Sequence, residues 1–486
     1  MDRFQQVWLG TLRLTVIGIL AACAGCRDSS QHPQPEGTSQ SAVAAQAPAN
    51  LPLSADDVSW LFPPPTRAED FAKLIAVGDL ATQNGQDPSK RDPVWPDAAF
   101  QQFLAIAASP AAQVAGTQTR IGLPSEAQSI KAWFIAGVRI DAGAPGLSND
   151  IRAQFGQLPQ IRLIVQPVIR NADGTPKVLD IAGHLIFNFT LAKPNDPPQS
   201  DCLPRLVPDL DASHAIVADL AAIRTKLSNG ELGTNKVSTS GVPLGVHPGL
   251  VDPTTAINLR GEIKAFLERH ISGLRLAAMA IAGLPSGAPA PWIFVSILGV
   301  PPGVIPALPN GGFVPVHGPT LDGQQFAQML APAGVTPRVV PQPHTNNLNQ
   351  ITCRNAAVSP ASLPIPNRSG VSTTELFLTP PPPTDKIKVI LDVIADPAKS
   401  HFFNTDCVSC HTETRRGMEL LDIKDIPGID PVALPNGSWD VRNFGWSPAP
   451  KGAIQATVTR RTAAETAAVV AFINSELLAK QALANH

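Results

Sequence analysis

Fifty prolines in 486 residues set the first limit on this chain. Proline has no N–H to give to a helix or sheet ladder and restricts the residue before it, so regular elements are expected to be short and joined by many loops. The length itself exceeds what one hydrophobic core usually fills, and two globular units are expected. Apolar residues at 44% suffice for folded cores, and a mean hydropathy near zero argues against a polytopic membrane protein. Thirty-seven basic residues balance 39 acidic ones, leaving no surplus charge to hold nucleic acid.

Near the N-terminus, Arg3 and Arg13 accompany the apolar run Leu14 to Ala22, which is too short to span a bilayer and has the form of an export signal. The run ends Leu20-Ala21-Ala22-Cys23, which resembles the lipobox of bacterial lipoproteins. That resemblance implies a signal over residues 1–22, acylation of Cys23 (with Cys26 as the alternative), and attachment to a membrane surface without a spanning helix. Residues 23–54, rich in Ser, Gln, Pro and Ala, read as a disordered tether, which puts the body of the protein in the periplasm.

Residues 55–358 read as an α+β domain. Phe71, Leu74, Ile75 and Leu80 suggest one helix, and Phe100, Phe103, Leu104 and Ile106 a second. Strands are expected at 131–141, 160–170 and 181–192, with the Asp173-Gly174 pair turning the second into the third. Helices follow around Ile216, Leu220, Ile223 and Leu227, stopped by Gly230, and around Leu259, Ile263, Phe266 and His270. Two further strands are expected at 273–283 and 291–300. His184, His214, His247, His270, His317 and His344 lack paired-ligand spacing and read as structural or surface residues. No phosphate loop, zinc helix or nucleophile turn occurs here, so the domain's own role is unreadable. The Pro-rich stretch 359–384 reads as a linker to a last domain at 385–486.

That last domain contains Cys407-Val408-Ser409-Cys410-His411, the C-x-x-C-H pattern for covalent attachment of one haem c. Two thiols add to the porphyrin vinyl groups, and the adjoining imidazole of His411 becomes an axial iron ligand. The segment around it resembles class I cytochrome c, with Phe403 four residues before Cys407 and, at the far end, Thr462 and Glu465 in a capping-box pattern ahead of Val469, Val470, Phe472, Ile473 and Leu477. The resemblance implies an all-α C-terminal domain in which Phe403 and Phe472 pack where two helices cross, with Pro427 and Gly428 positioned to offer a carbonyl to the axial histidine. The chain departs from the family at Lys399, where a glycine often stands, and at the second axial ligand. The only methionine after His411 is Met418, so the sixth position is left among His401, Met418, Gln455, Asn443, His486 or no protein ligand. Phe444 and Trp446 are expected either to cover that face or to belong to a surface loop.

The fold class expected from sequence is therefore multidomain: an N-terminal α+β domain with β-hairpins and helices, followed by an all-α cytochrome c-like domain. The expected function is single-electron exchange with redox partner proteins, with small-ligand binding or catalysis at an open sixth position as the alternative. Cys202 and Cys353 remain as an even pair in an oxidising compartment and are expected to form a disulfide. Non-reducing peptide mapping of the exported protein should recover them as one cross-linked species, and free thiols at both would rule the bond out.

Overall fold

Seven strands cross one antiparallel sheet in the order in which the chain lays them down. They are β1 (Ser59–Leu61), β2 (Trp133–Asp141), β3 (Gln160–Arg170), β4 (Ile181–Asn188), β5 (Leu276–Gly283), β6 (Trp292–Val300) and β7 (Gly312–His317). Two short strands, Pro176–Val178 on β3 and Phe326–Ala327 on β6, bring the sheet to nine among the described residues. The computed structural model describes residues 52–83, 87, 89–109, 123–143, 158–192, 206–283, 292–300, 310–317, 326–327, 384–399, 407–435, 443–448 and 453–479, all within one compact unit. Cys23, Cys26, Cys202, Cys353, His401, Phe403 and His486 lie outside them, as do the tether up to residue 51 and the Pro-rich stretch up to residue 383.

Besides a single turn at Pro248–Val251, the described helices are α1 (Ala55–Val58), α2 (Asp97–Ala108), α3 (Leu210–Asn229), α4 (Ala256–His270), α5 (Thr384–Ala395), α6 (Cys407–Leu421) and α7 (Arg460–Phe472). Asp209 caps α3 by accepting from the Ala212 N–H at 3.0 Å, and Gly230 ends it in the left-handed conformation that only glycine adopts without penalty. The expected Asp173-Gly174 turn joins β3 to the short strand Pro176–Val178, which leads into β4; β3 and β4 pair from Gln160↔Asn188 to Val165↔Gly183. Trp95 stacks edge-on against Phe100, Phe103 and Trp133 at 4.8, 5.2 and 5.9 Å, fixing α2 to β2.

Two expectations are corrected. The stretch from Phe71 to Leu80 forms only the 3-10 turns Ala68–Lys73 and Val77–Asp79. The sheet draws it out: the Ile75 carbonyl accepts from the Ile135 N–H at 3.0 Å, and Ala76 bridges to Phe134. The second correction concerns fold class, because the C-terminal part is not an all-α cytochrome-like domain. Residues Phe444–Pro448 (β8) and Ile454–Val458 (β9) form a hairpin, and this hairpin and α7 are built onto the face and end of the large sheet.

The hairpin is joined to the sheet by a side chain that imitates a strand. Buried Gln166 of β3 donates to the Trp446 carbonyl at 2.9 Å and accepts from the Trp446 N–H at 2.7 Å, while the Trp446 indole donates to the Phe62 carbonyl at 2.8 Å. Phe444 lies against Gly137, where a Cβ would stand 2.7 Å from its ring. Phe444 and Trp446 are thus core residues packed on the sheet. Replacing Gln166 with Ala leaves two buried backbone groups unsatisfied, so urea denaturation should show a loss of about 2–6 kcal/mol, at about 1–3 kcal/mol per orphaned group.

Candidate functional site

α6 begins at Cys407, and an α-helix turns once every 3.6 residues, so positions 407, 410 and 411 stand at i, i+3 and i+4 on one helical face. Cys410 and His411 are half-buried. The helix ends at Asp422, whose positive φ of 50° terminates it after Leu421. Two fully buried residues just after the motif lock α6 to α7. Glu413 pairs with the Arg460 guanidinium at 2.9 Å and accepts from the Thr414 hydroxyl at 2.7 Å, and Thr414 in turn accepts from the Arg460 N–H at 2.8 Å. Arg460 also pairs with Asp392 of α5, so one guanidinium ties together three helices. Burial pushes the Glu413 carboxyl up to about 7 despite Arg460.

On the other side of α7, Glu465 is held by guanidinium groups. It pairs with Arg139 of β2 at 2.5 Å and with Arg461 at 2.7 Å, while Arg162 of β3 adds its field. Arg139 and Arg162 face each other in the β2–β3 register, a like-charge pairing that a sheet does not favour without a counter-ion. Burial raises the Glu465 carboxyl, but Arg139, Arg461 and Arg162 more than offset this and hold it well below the usual carboxylate range. Burial and the neighbouring Arg139 bring Arg162 down to about 10. Arg461 also donates to the Ile394 carbonyl at 3.2 Å and lies within electrostatic reach of Cys410.

Glu465 therefore does not cap α7 from Thr462, as the sequence pattern suggests. The cap is Thr459, which accepts from the Thr462 N–H, so the helix starts three residues earlier and Glu465 turns toward the sheet. Sequence reading missed the roles of Glu465, Arg139, Arg162 and Arg461; the arginine opposite an arginine becomes visible only once strand register is known.

The other expected site residues are dispersed. Met418 lies seven positions beyond His411 on the same helix, about 10 Å along the same face at about 1.5 Å per residue. Gln455 donates to the Val432 and Leu434 carbonyls, and the Asn443 carbonyl accepts from the Thr459 N–H and Thr462 hydroxyl. The Gly428 carbonyl accepts from Leu244, while Pro427 and Gly428 line a cavity of about 720 Å³ with Asp392, Arg460 and Ala464. Phe472 lies against Gly143, where a Cβ would fall only 1.8 Å from its ring. His270 bonds Asp219 at 2.7 Å, and buried His247 accepts from the Gly249 N–H at 3.0 Å.

Among the described residues, no three His, Cys, Asp or Glu side chains converge to hold a bare metal ion. A haem c would bring its own four nitrogen ligands and require two thiols and an imidazole of the chain; positions 407, 410 and 411 fall on one face of α6. No protein-family model, curated protein or solved structure matches the chain.

Glu465→Gln should cost about 3–5 kcal/mol, as expected when one partner leaves a buried ionic cluster. Its carboxyl is depressed in the folded state, so the stability it adds is present above about pH 4 and lost as pH falls further. Chemical denaturation from pH 7 to 3 should show that acid loss in the wild type and a flatter profile in the variant.

Proposed function

We propose that this chain is a c-type haem protein that exchanges single electrons with partner proteins, tethered on the periplasmic side of a bacterial membrane by a lipid on Cys23. The observation that carries the haem assignment is the placement of Cys407, Cys410 and His411 on one face at the start of a single helix. In this reading the thiols of Cys407 and Cys410 bind the porphyrin edge, and His411 supplies one axial nitrogen. A bound haem would supply a one-electron couple. Glu413, Thr414 and Arg460 hold the attachment helix against α5 and α7, so that the cofactor's surroundings change little between oxidation states. Among the described residues no helix is long and apolar enough to cross a membrane, so the tether rests on the lipobox-like sequence alone.

A second reading, small-ligand binding at an open sixth position, draws on the engagement of Gln455 and Asn443 elsewhere and on Met418 sharing the face of His411.

Expression in a host that attaches haem covalently should give a haem-stained band on a denaturing gel. Cys407→Ala combined with Cys410→Ala should abolish it, and a stain that persisted would sink the assignment. In the wild type, a low-spin ferrous spectrum unmoved by CO supports electron transfer, whereas rapid CO binding supports the second reading.

A further inference from the structure

Asp56 is fully buried in α1, and neither of its carboxyl oxygens has a hydrogen-bond partner. Its neighbours make ionisation worse. Asp57, next in the chain, is a satisfied carboxylate: it pairs with Arg224 of α3 and accepts from the Thr239 hydroxyl at 2.8 Å and the Ser54 N–H at 2.7 Å. Asp430 approaches from the segment that follows α6, so close to Gly245 that a Cβ there would lie 2.7 Å from the Asp430 Cβ. That approach is part of a short ladder: the Leu244 N–H donates to the Gly428 carbonyl at 2.9 Å, and the Asp430 N–H to the Leu244 carbonyl at 3.0 Å. Val246 bridges onward to Leu61 of β1.

Among the described residues, no cation is paired with Asp56. Contacts from the C-terminal helix are uncharged, between Thr466 and Ser59 and between Asn474 and Leu53. Arg224 is engaged by Asp57 and Arg139 by Glu465, and burial keeps His247 neutral, down at about 4.

We propose that Asp56 is a proton-operated latch: as a neutral acid it lets residues 428–430 close on 244–245, and as a carboxylate it repels Asp57 and Asp430 and opens that contact. The segment it controls leads directly out of the helix that carries Cys407, Cys410 and His411. The latch does not depend on the haem assignment. Burial, then Asp57 and Asp430, push the Asp56 carboxyl up to about 8, and the Gly245 N–H pulls the other way without reaching hydrogen-bond geometry.

Opening solvates the carboxyl and returns it to about 4, so between about pH 4 and 8 the closed form binds the extra proton. Closure is complete at the acidic end and is lost as pH rises toward about 8. Amide hydrogen exchange at Leu244 and Asp430, corrected for intrinsic rates, should therefore show opening that increases up to about tenfold per pH unit from pH 5 to 7 and levels off above about 8. Asp56→Asn should abolish that slope. Asp430→Asn, which leaves Asp56 in place but removes one repelling charge, should move the levelling-off to lower pH. An unchanged slope in Asp56→Asn overturns the latch, and so does opening provoked by a chelator and reversed by calcium at fixed pH, which would make Asp56 a cation ligand instead.

Discussion

A single carboxylate, Glu465, stands between two arginines that the sheet places opposite each other and a third on its own helix. Without it, Arg139 and Arg162 would face one another across the β2–β3 ladder with no ion-pair partner among the described residues. Its position fixes the rotation of α7, and that rotation decides which residues reach outward. Arg460 faces α5 and α6, Arg461 faces Cys410 and the end of α5, and Thr466 faces Ser59 of β1. The orientation of α6 thus depends on a charge cluster rooted in a sheet formed hundreds of residues earlier in the chain.

Such clusters add little net stability, since the cost of taking charges out of water nearly matches their attraction. What this one adds is specificity: only one rotation of α7 puts Glu465 between its arginines while Phe472 enters the space left by Gly143. Gln166 does similar work for the hairpin, because its amide pairs with the Trp446 backbone of β8 in one register only.

Much of the sheet was legible in the sequence. β-branched runs located β2 to β6, the Asp-Gly turn led from β3 toward β4, and apolar spacing with Gly230 bounded α3. Legibility failed where long-range contacts override local pattern, as at Phe71 to Leu80, which the edge of β2 draws out of helical form. It failed more widely at the C-terminus. There the periodicity of α7 was read correctly, but a helix looks the same in sequence whether it packs in a small bundle or on a sheet. The spacing of Cys407, Cys410 and His411 was fully legible because it is local, whereas the buried Asp56 left no pattern at all, since its significance lies in what surrounds it.

The central claim is that the first turn of α6 holds an iron. Anomalous scattering at the iron edge, from crystals of the exported protein, tests it most directly. One peak beside the His411 imidazole, on the face shared by positions 407 and 410, is the predicted result. No peak, or a peak elsewhere in the fold, would contradict the account.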